Sequence, residues 1–137
     1  MAITGATGPA IGVRVLVELV KAAEVHLIVS PDALAILGDE AGIDWHAPTE
    51  AEAGAKVRTY LGTENLRFWS AANMHAPVAS GSFITDGMLV VPCTMKTLAG
   101  IAAGYANTLV ERAADVAIKE GRPLLLSPRE MGAERPG

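Results

Sequence analysis

Glycines and hydroxyl side chains follow two apolar segments of this 137-residue chain. Gly5-Ala-Thr-Gly8 comes directly after an apolar start, and Pro92-Cys-Thr-Met-Lys-Thr97 follows the apolar residues 88–91. Glycine turns and hydroxyls at the start of a helix leave backbone N–H groups free to bind an anion. Because such turns lie at the carboxyl ends of parallel strands, the pattern favours a site for a phosphorylated ligand.

The segment around Pro92 organises the second of these turns. Residues 88–91 are apolar and rich in β-branched side chains, which predicts a strand buried on both faces. Proline has no N–H to donate to a sheet, so we expect a loop to begin at Pro92. Thr94 or Thr97 then caps a helix. The alternative is an ordinary strand-to-helix connection with Cys93 as a small buried apolar residue.

The first turn follows a very short strand. Only a few strand residues precede Gly5, whereas a usual strand has about five or six. Gly5 and Gly8 allow a tight turn, and Thr7 can cap a helix predicted at residues 9–22. The spacing of these glycines does not match the Gly-x-Gly-x-x-Gly pattern, which disfavours a nicotinamide dinucleotide.

A second strand is predicted at residues 25–29 and ends at Ser30. Ser30 either caps the following helix, predicted at residues 31–37, or contacts a ligand, and the pattern favours neither over the other. Residues 38–42 begin and end with glycine, so we expect them to interrupt the helix and place Glu40 in a loop. There Glu40 is either a solvated carboxylate, the usual case, or an acid–base group over the edge of the sheet.

The middle of the chain offers one further phosphate-binding candidate. A helix is predicted at residues 49–61, with no pattern that indicates chemistry, and a short strand at residues 66–69. Ser80-Gly-Ser82 then presents hydroxyls and backbone N–H groups that could hold a phosphate. Small polar loops are common, so this signal alone is weak.

A helix predicted at residues 107–120 carries two cations on one stripe. Arg112 and Lys119 are seven residues apart, and Asp115 lies four residues before Lys119. One interpretation is a solvated face with one helical ion pair. The other is a pair of cations presented to a phosphorylated substrate. Gly121 is expected to end the helix.

The last predicted strand, at residues 123–126, is followed by a charged pair. Arg129 and Glu130 come three and four residues after it, at the carboxyl end of a buried strand. Ligands of open α/β sheets bind outside the carboxyl ends of the strands. The pair is therefore a further site candidate.

The composition indicates one α/β domain. Half of the residues are hydrophobic and only 4% are aromatic, which suits close packing of helices on a parallel sheet. A net charge of −4 argues against nucleic acid as a partner. One cysteine and three scattered histidines predict neither a disulfide nor a metal site, and His26 is expected to be satisfied within the sheet. We expect a cytoplasmic protein without a membrane span.

Five segments occur in the order seen in the flavin prenyltransferases, the UbiX-like flavoproteins, and the chain resembles that family from residue 2 to residue 131. They are residues 5–8, 79–83, 92–97, 107–120 and 128–130. The resemblance implies a three-layer Rossmann-like or flavodoxin-like fold, FMN as cofactor and no metal. It also implies transfer of a dimethylallyl group from dimethylallyl phosphate to N5 and C6 of reduced FMN, giving prenylated FMN for UbiD-type decarboxylases.

The same resemblance implies roles for individual residues. The flavin-binding positions are Gly5, Ala6, Thr7, Ser30, Thr94, Met95, Lys96, Thr97 and Arg129. The positions that hold the prenyl phosphate are Ser80, Arg112 and Lys119. The catalytic positions are Glu40 and Glu130, which match carboxylates implicated in proton handling, and Thr7 near N5, where the family more often has serine. Cations suit the leaving phosphate, and closing the ring at C6 requires a base.

The resemblance further implies a homo-oligomer, often a dodecamer, with its active site between subunits. It also implies that this single domain, residues 1–137, lacks the family's C-terminal helix. Two other functions stay open, namely an FMN-dependent cysteine decarboxylase and a non-catalytic FMN-binding subunit. Arg112, Lys119 and the loop at residues 79–82 favour prenyl transfer over cysteine decarboxylation.

Overall fold

Five parallel strands form one sheet in the computed structural model, which describes residues 1–5 and 8–129. The order across the sheet is β3-β2-β1-β4-β5, and every pairing is parallel. The predicted α/β class is therefore confirmed. The strands are Ala2–Ile3 (β1), Val25–Val29 (β2), Leu66–Ser70 (β3), Met88–Thr94 (β4) and Leu124–Arg129 (β5).

Helices cover both faces of the sheet, as predicted. Apolar residues of α1, α2 and α3 pack with Leu27 and Val29 on one face, whereas those of α4 and α5 pack with Ile28 and Val90 on the other. Successive residues of a strand point to opposite faces, so the apolar run of β2 serves both cores. The helices are Pro9–Leu19 (α1), Pro31–Ala41 (α2), Glu50–Leu61 (α3), Met95–Ala102 (α4) and Leu109–Lys119 (α5).

The expectation that residues 38–42 interrupt a helix is wrong. α2 continues to Ala41 and ends at Gly42, which has a φ of 66°. A glycine inside a helix costs only about 1 kcal/mol relative to alanine, so Gly38 alone does not end it. Glu40 is consequently an exposed residue in the last turn of α2 and does not lie in a loop.

Two other helices are shorter than predicted. α1 ends at Leu19. α5 begins at Leu109 because Thr108 and Glu111 form a capping box, in which each side chain accepts the backbone N–H of the other residue. Gly121 follows α5 with a φ of 67°, in agreement with the left-handed position predicted for it.

β4 continues through Pro92, so the expectation that a loop begins there is wrong. The pairing of β4 with β5 shifts register between Val90 and Cys93, and proline is tolerated at such an irregularity. The Pro92 carbonyl still accepts hydrogen bonds from Thr4, at 3.2 Å from its N–H and 2.7 Å from its hydroxyl. Cys93 is fully buried.

Candidate functional site

The carboxyl ends of the strands form one edge of the sheet, which we call the carboxyl edge. There β1 leads to Gly5, β2 to Ser30 and β4 to the first residue of α4. The chain passes from β1 to β2 and β3 on one side and then returns to β4 on the other side of β1. In open parallel sheets, ligands bind outside the carboxyl ends at such a reversal of strand order.

Three helices, α1, α2 and α4, begin at the carboxyl edge beside the three central strands. The first N–H groups of a helix have no partner within it, and the positive end of the helix dipole lies there. Ser30 Oγ accepts one of them from Ala33 N–H at 3.2 Å, and Thr94 Oγ1 accepts another from Thr97 N–H at 3.1 Å. The remaining N–H groups favour an anion at this edge.

Gly5 lies where the first turn crosses the beginning of α2. A Cβ atom on Gly5 would lie 2.5 Å from the nitrogen of Ala33 and 2.7 Å from the carbonyl carbon of Asp32. Glycine is therefore required for packing against α2, in addition to its predicted role beside a ligand. Ala6 and Thr7 lie outside the described residues.

Thr94 caps α4, which decides between the two predicted caps. Its hydroxyl accepts the Thr97 N–H and donates to Thr97 Oγ1 at 2.9 Å. Met95 and Lys96 are exposed in the first turn of α4. The second predicted turn thus presents two exposed side chains and one hydroxyl network at the carboxyl edge.

The last strand extends beyond its predicted end. β5 runs to Arg129, so Ser127 and Pro128 lie within the strand. Arg129 pairs with Thr94 across β4 and β5, which brings its backbone to the carboxyl edge. Glu130 lies outside the described residues.

Thr4 is a site residue that the sequence analysis did not single out. It is 2% exposed and is the only polar or charged residue in the buried set of the described chain. Its hydroxyl donates to the Pro92 carbonyl at 2.7 Å and accepts the Thr94 N–H at 3.0 Å. The available signal was a hydroxyl residue between an apolar strand and a glycine turn.

Glu50 is a second residue at the carboxyl edge that the sequence analysis did not single out. Its carboxylate accepts the Ser70 N–H at 2.6 Å and the Asn73 side-chain amide at 2.9 and 3.1 Å. These bonds join the beginning of α3 to the end of β3 at the carboxyl edge. The predicted helix at residues 49–61 is confirmed, with Thr49 as its cap. Its first glutamate, Glu50, is bonded to the end of β3.

The residues predicted to hold the prenyl phosphate share one surface, formed by α5 and the loop before β4. Arg112 Nε donates to the carbonyl of Ala79 at 3.1 Å, and Ser80 follows directly. Lys119 lies two turns further along α5, with Nζ 2.9 Å from Asp115 Oδ2. Lys119 therefore forms the helical ion pair with Asp115 that the alternative interpretation predicts, and this pair lies on the same surface as Arg112.

The Ser80-Gly-Ser82 loop is held by a residue that was not predicted. The Arg122 guanidinium donates to the carbonyls of Gly81 at 2.8 Å and Phe83 at 3.0 Å. Ser80 Oγ lies 2.8 Å from Ser82 Oγ. The two serine hydroxyls are thus bonded to each other, and both residues are exposed.

The structure does not bring Glu40 and Lys119 to the carboxyl edge. Both of their helices begin there, α2 directly after β2 and α5 beside Ala71, whose carbonyl accepts the Leu109 N–H at 2.8 Å. At about 1.5 Å per residue, Glu40 and Lys119 lie roughly 14 to 15 Å further along the helix axes. In one copy of the chain they are therefore close to the opposite end of the sheet, which we call the amino edge.

A cavity of about 610 Å³ also lies at the amino edge. His26 of β2 and Met88 of β4 are among its lining residues. Both precede the positions at which these strands pair with β1. A cavity of about 390 Å³ lies at the carboxyl edge and is lined in part by Pro31 and Ser70. We place the candidate site at the carboxyl edge because the helix N-termini and the predicted flavin positions meet there, whereas size alone would select the other cavity.

His26 has a structural role, as predicted. Its Nδ1 accepts the Trp69 Nε1–H at 2.9 Å, and the Phe83 ring lies edge-on with 5.0 Å between ring centroids. Burial lowers the pKa of His26, whereas Glu24, with Oε1 3.4 Å from Nε2, acts in the opposite direction. The imidazole is therefore neutral near pH 7, and its Nδ1 is used as the hydrogen-bond acceptor of Trp69.

A metal-binding cluster and a membrane-spanning helix are both absent from the described residues. Across residues 1–5 and 8–128, no three His, Cys, Asp or Glu side chains lie close enough together to hold a metal ion. No helix in that part of the chain is long and apolar enough to cross a membrane. Burial raises the pKa of the Cys93 thiol, which keeps it protonated and unreactive.

The fold and the carboxyl edge define an α/β protein of the class that binds phosphorylated ligands where the strand order reverses. Comparison with known proteins gives its family. The chain belongs to the flavoprotein family, whose model matches residues 1–133.

The resemblance to flavin prenyltransferases is confirmed by a curated relative. A probable UbiX-like flavin prenyltransferase of Escherichia coli O157:H7 is 45% identical over 130 residues, which cover 93% of this chain and 59% of that protein. The chain therefore spans about three fifths of the length of this relative.

Two solved structures have the same fold. AnUbiX in complex with FMN and dimethylallyl pyrophosphate is 41% identical, with a TM-score of 0.77 over 98% of this chain and 65% of that chain. A dodecameric FMN-dependent UbiX-like decarboxylase from Escherichia coli O157:H7 is 43% identical, with a TM-score of 0.75 over 98% of this chain and 69% of that chain. The flavodoxin-like, three-layer architecture is thereby confirmed.

Proposed function

We propose that this chain is a flavin prenyltransferase, which transfers a dimethylallyl group from dimethylallyl phosphate to N5 and C6 of reduced FMN. The supporting observation is that Gly5, Ser30 and Thr94 meet at the carboxyl edge together with three helix N-termini. The prenylated FMN then serves a UbiD-type decarboxylase. We place this activity in the cytoplasm.

The hydroxyls at the carboxyl edge support FMN as the bound molecule. Ser30 Oγ accepts from Ala33, and Thr97 Oγ1 accepts from Thr94, so each of the two hydroxyls keeps its own proton for donation. A phosphate oxygen or a flavin carbonyl can accept such a proton. The N-termini of α1, α2 and α4 supply backbone N–H groups for one phosphate, as FMN requires.

The surface of α5 supports a phosphate as the leaving group. When the carbon–oxygen bond of the prenyl donor breaks, the phosphate carries away the electron pair and its negative charge is stabilised by cations. Arg112 is fixed through Nε, and its terminal nitrogens make no bond within the described residues. Ser80 lies beside it, and Lys119 lies on the same helix. We assign these three residues to the donor phosphate.

Proton transfer is the proposed role of the two carboxylates. Closing the ring at C6 adds a proton to the double bond of the transferred C5 group and removes the ring proton from C6, so both an acid and a base are needed. We assign the role of the base to Glu130 and a supporting role to Glu40, with Thr7 placed near N5. Their assignment rests on the family resemblance.

We also propose that the active site is shared between subunits of a homo-oligomer. Glu40 and Lys119 lie roughly 14 to 15 Å along their helices from the carboxyl edge, so a second copy of the chain is needed to bring them to the flavin. Ile118, next to Lys119 in α5, and Leu125 of β5 are exposed apolar side chains, at 54% and 64%. The related UbiX-like decarboxylase from Escherichia coli O157:H7 is dodecameric.

An anaerobic assay tests the activity. The protein is mixed with reduced FMN and either dimethylallyl phosphate or dimethylallyl pyrophosphate, and the flavin is analysed by mass spectrometry. We expect a flavin heavier by one C5H8 unit and release of the corresponding phosphate. Carbon dioxide release from a peptide with a C-terminal cysteine would instead identify a decarboxylase, and FMN binding without turnover would identify a non-catalytic subunit.

Mixing two impaired variants tests the shared site. Thr97→Ala alters the flavin turn and Lys119→Ala alters the donor surface, so each variant alone should be impaired. If subunits share sites, exchange of subunits in the mixture should restore part of the activity, because some sites receive both intact residues. Light scattering that gives a monomer at micromolar concentration, or a mixture no more active than its parts, would contradict this proposal.

A further inference from the structure

Thr4 occupies the junction between β1 and the first turn, and it is bonded to β4. The β1–β4 pairing consists of Ala2 opposite Val90, and beyond it β4 changes register. At that point Thr4 links β1 to β4, through its backbone N–H, which donates to the Pro92 carbonyl, and through its side chain. Its hydroxyl donates to the Pro92 carbonyl and accepts the Thr94 N–H, so both of its hydrogen-bonding functions are used within the protein.

The two ends of this connection are the two predicted flavin turns. Gly5 follows Thr4 directly, and its backbone lies against the beginning of α2. Thr94 is the cap of α4, and its own hydroxyl is engaged with Thr97. Because the Thr94 N–H is held by Thr4, the orientation of this cap depends on a residue 90 positions earlier in the chain.

We propose that Thr4 is a positioning residue for FMN, which holds the two flavin turns in fixed relation to each other. It does not face the ligand, since its hydroxyl is used by β4 and its side chain is buried. The proposal rests on the proposed FMN-binding function. It adds that affinity depends on a buried hydroxyl behind the site as well as on the groups that line it.

Substitutions at Thr4 separate the hydroxyl from the shape of the side chain. Thr4→Val keeps the branched shape and removes the hydroxyl, which leaves the Thr94 N–H without its partner. Thr4→Ser keeps the hydroxyl and removes one methyl group. Val57→Ala is the matched control, because Val57 is a fully buried residue of α3. This helix packs on β3, which β2 separates from β1 and β4.

Affinity and spectra are measured on folded protein at low temperature. We expect the FMN dissociation constant of Thr4→Val to rise at least tenfold, and the visible circular dichroism of its bound flavin to change. Thr4→Ser should bind within about threefold of the wild type. Val57→Ala should lower the melting temperature but leave both the affinity and the spectrum unchanged, because a loss of stability alone does not move the turns.

The outcomes separate this proposal from the proposed function. If the wild-type chain binds no FMN, both are wrong. If the wild type binds FMN and Thr4→Val binds it equally well with the same spectrum, only the role of Thr4 is wrong. Should Thr4→Val fail to fold, Thr4→Ala is measured in the same way, and failure of both to fold would show that the hydroxyl serves the fold and not the flavin turns.

Discussion

The carboxyl edge and the outer surface of α5 hold their polar side chains in different ways. At the carboxyl edge the hydroxyls of Thr4, Ser30 and Thr94 are all bonded to backbone groups. On α5, Arg112 and Lys119 are exposed and are each held by one bond. Ordering a long side chain costs up to about 2 kcal/mol in lost rotamer freedom, so the α5 surface is not set before a ligand or a second subunit arrives.

This difference has a functional meaning under the proposed activity. A rigid edge suits a flavin that must be held in one orientation while two bonds form at neighbouring ring atoms. Cations on long side chains that are each held by one bond suit a phosphate that first binds and then leaves. The comparison predicts that substitutions at the edge affect flavin binding and stability, whereas substitutions on α5 affect turnover.

The largest effect is expected on α5. Arg112→Ala and Lys119→Ala should each lower prenyl transfer by roughly one to two decades, because a hydrogen bond to a charged group contributes about 1.5 to 3 kcal/mol. FMN affinity should not change. Turnover with dimethylallyl phosphate and FMN titration, measured on the same preparations, check the two halves of this prediction.

Lys21 provides a matched control for Lys119. Both are exposed lysines paired with an acidic residue three or four positions earlier in the chain, at 3.1 Å for Lys21 and Glu18 and 2.9 Å for Lys119 and Asp115. Lys21→Ala should therefore leave turnover unchanged. Equal turnover in all three variants would mean that the α5 cations form an ordinary solvated surface.

The next effect concerns backbone packing at the carboxyl edge. Gly5→Ala places a Cβ 2.5 Å from the backbone of α2, so we expect a loss of about 1 to 3 kcal/mol in the free energy of unfolding and weaker FMN binding. Gly38→Ala is the matched change in α2, where the nearest atom would be 3.9 Å from the new Cβ. It should stabilise the protein by about 0.5 to 1 kcal/mol. Urea denaturation of both variants distinguishes a crowded turn from an open helix surface.

The sequence predicted those parts of the fold that depend on local pattern. β2 is found at the predicted residues 25–29, and Thr49 caps a helix that ends at Leu61, because apolar runs and capping residues act over a few positions. The predictions that α2 ends before residue 38 and that a loop begins at Pro92 were wrong. Each prediction was inferred from one residue type, and the local preference of that residue is weaker than the effect of tertiary packing.

The candidate site was predicted in part for the same reason. The flavin turns at Gly5 and Thr94 could be located because glycines and hydroxyls after apolar runs have local meaning. The role of Thr4 could not, because its partner Pro92 lies 88 residues away and no local pattern encodes that contact. The separation of Glu40 from the carboxyl edge likewise follows from the length of α2, whose end was predicted wrongly.

A smaller effect is expected at the carboxyl-edge residue Glu50. Glu50→Gln weakens the charged hydrogen bonds to Ser70 and Asn73, so stability should fall by about 1 kcal/mol. Glu52→Gln is the control, since Glu52 lies in the same first turn of α3 and experiences the same helix dipole, but it is exposed. If thermal unfolding shifts equally for both, the effect belongs to the helix dipole and not to the bonds of Glu50.

The smallest effect belongs to the amino edge and concerns His26. Its pKa is lowered by burial, and protonation of Nδ1 would also remove the acceptor that Trp69 uses at 2.9 Å. The unfolded chain takes up this proton near pH 6.5, whereas the folded protein resists it. The contribution of His26 to stability is therefore complete above pH 6.5 and is lost as the pH falls below that value. His26→Gln keeps an acceptor for Trp69 without a titrating group, so the difference between the unfolding free energies of the wild type and this variant should shrink towards lower pH. A difference that is constant from pH 8 to pH 5 would mean that His26 titrates normally and that the amino edge is as open to solvent as the α5 surface.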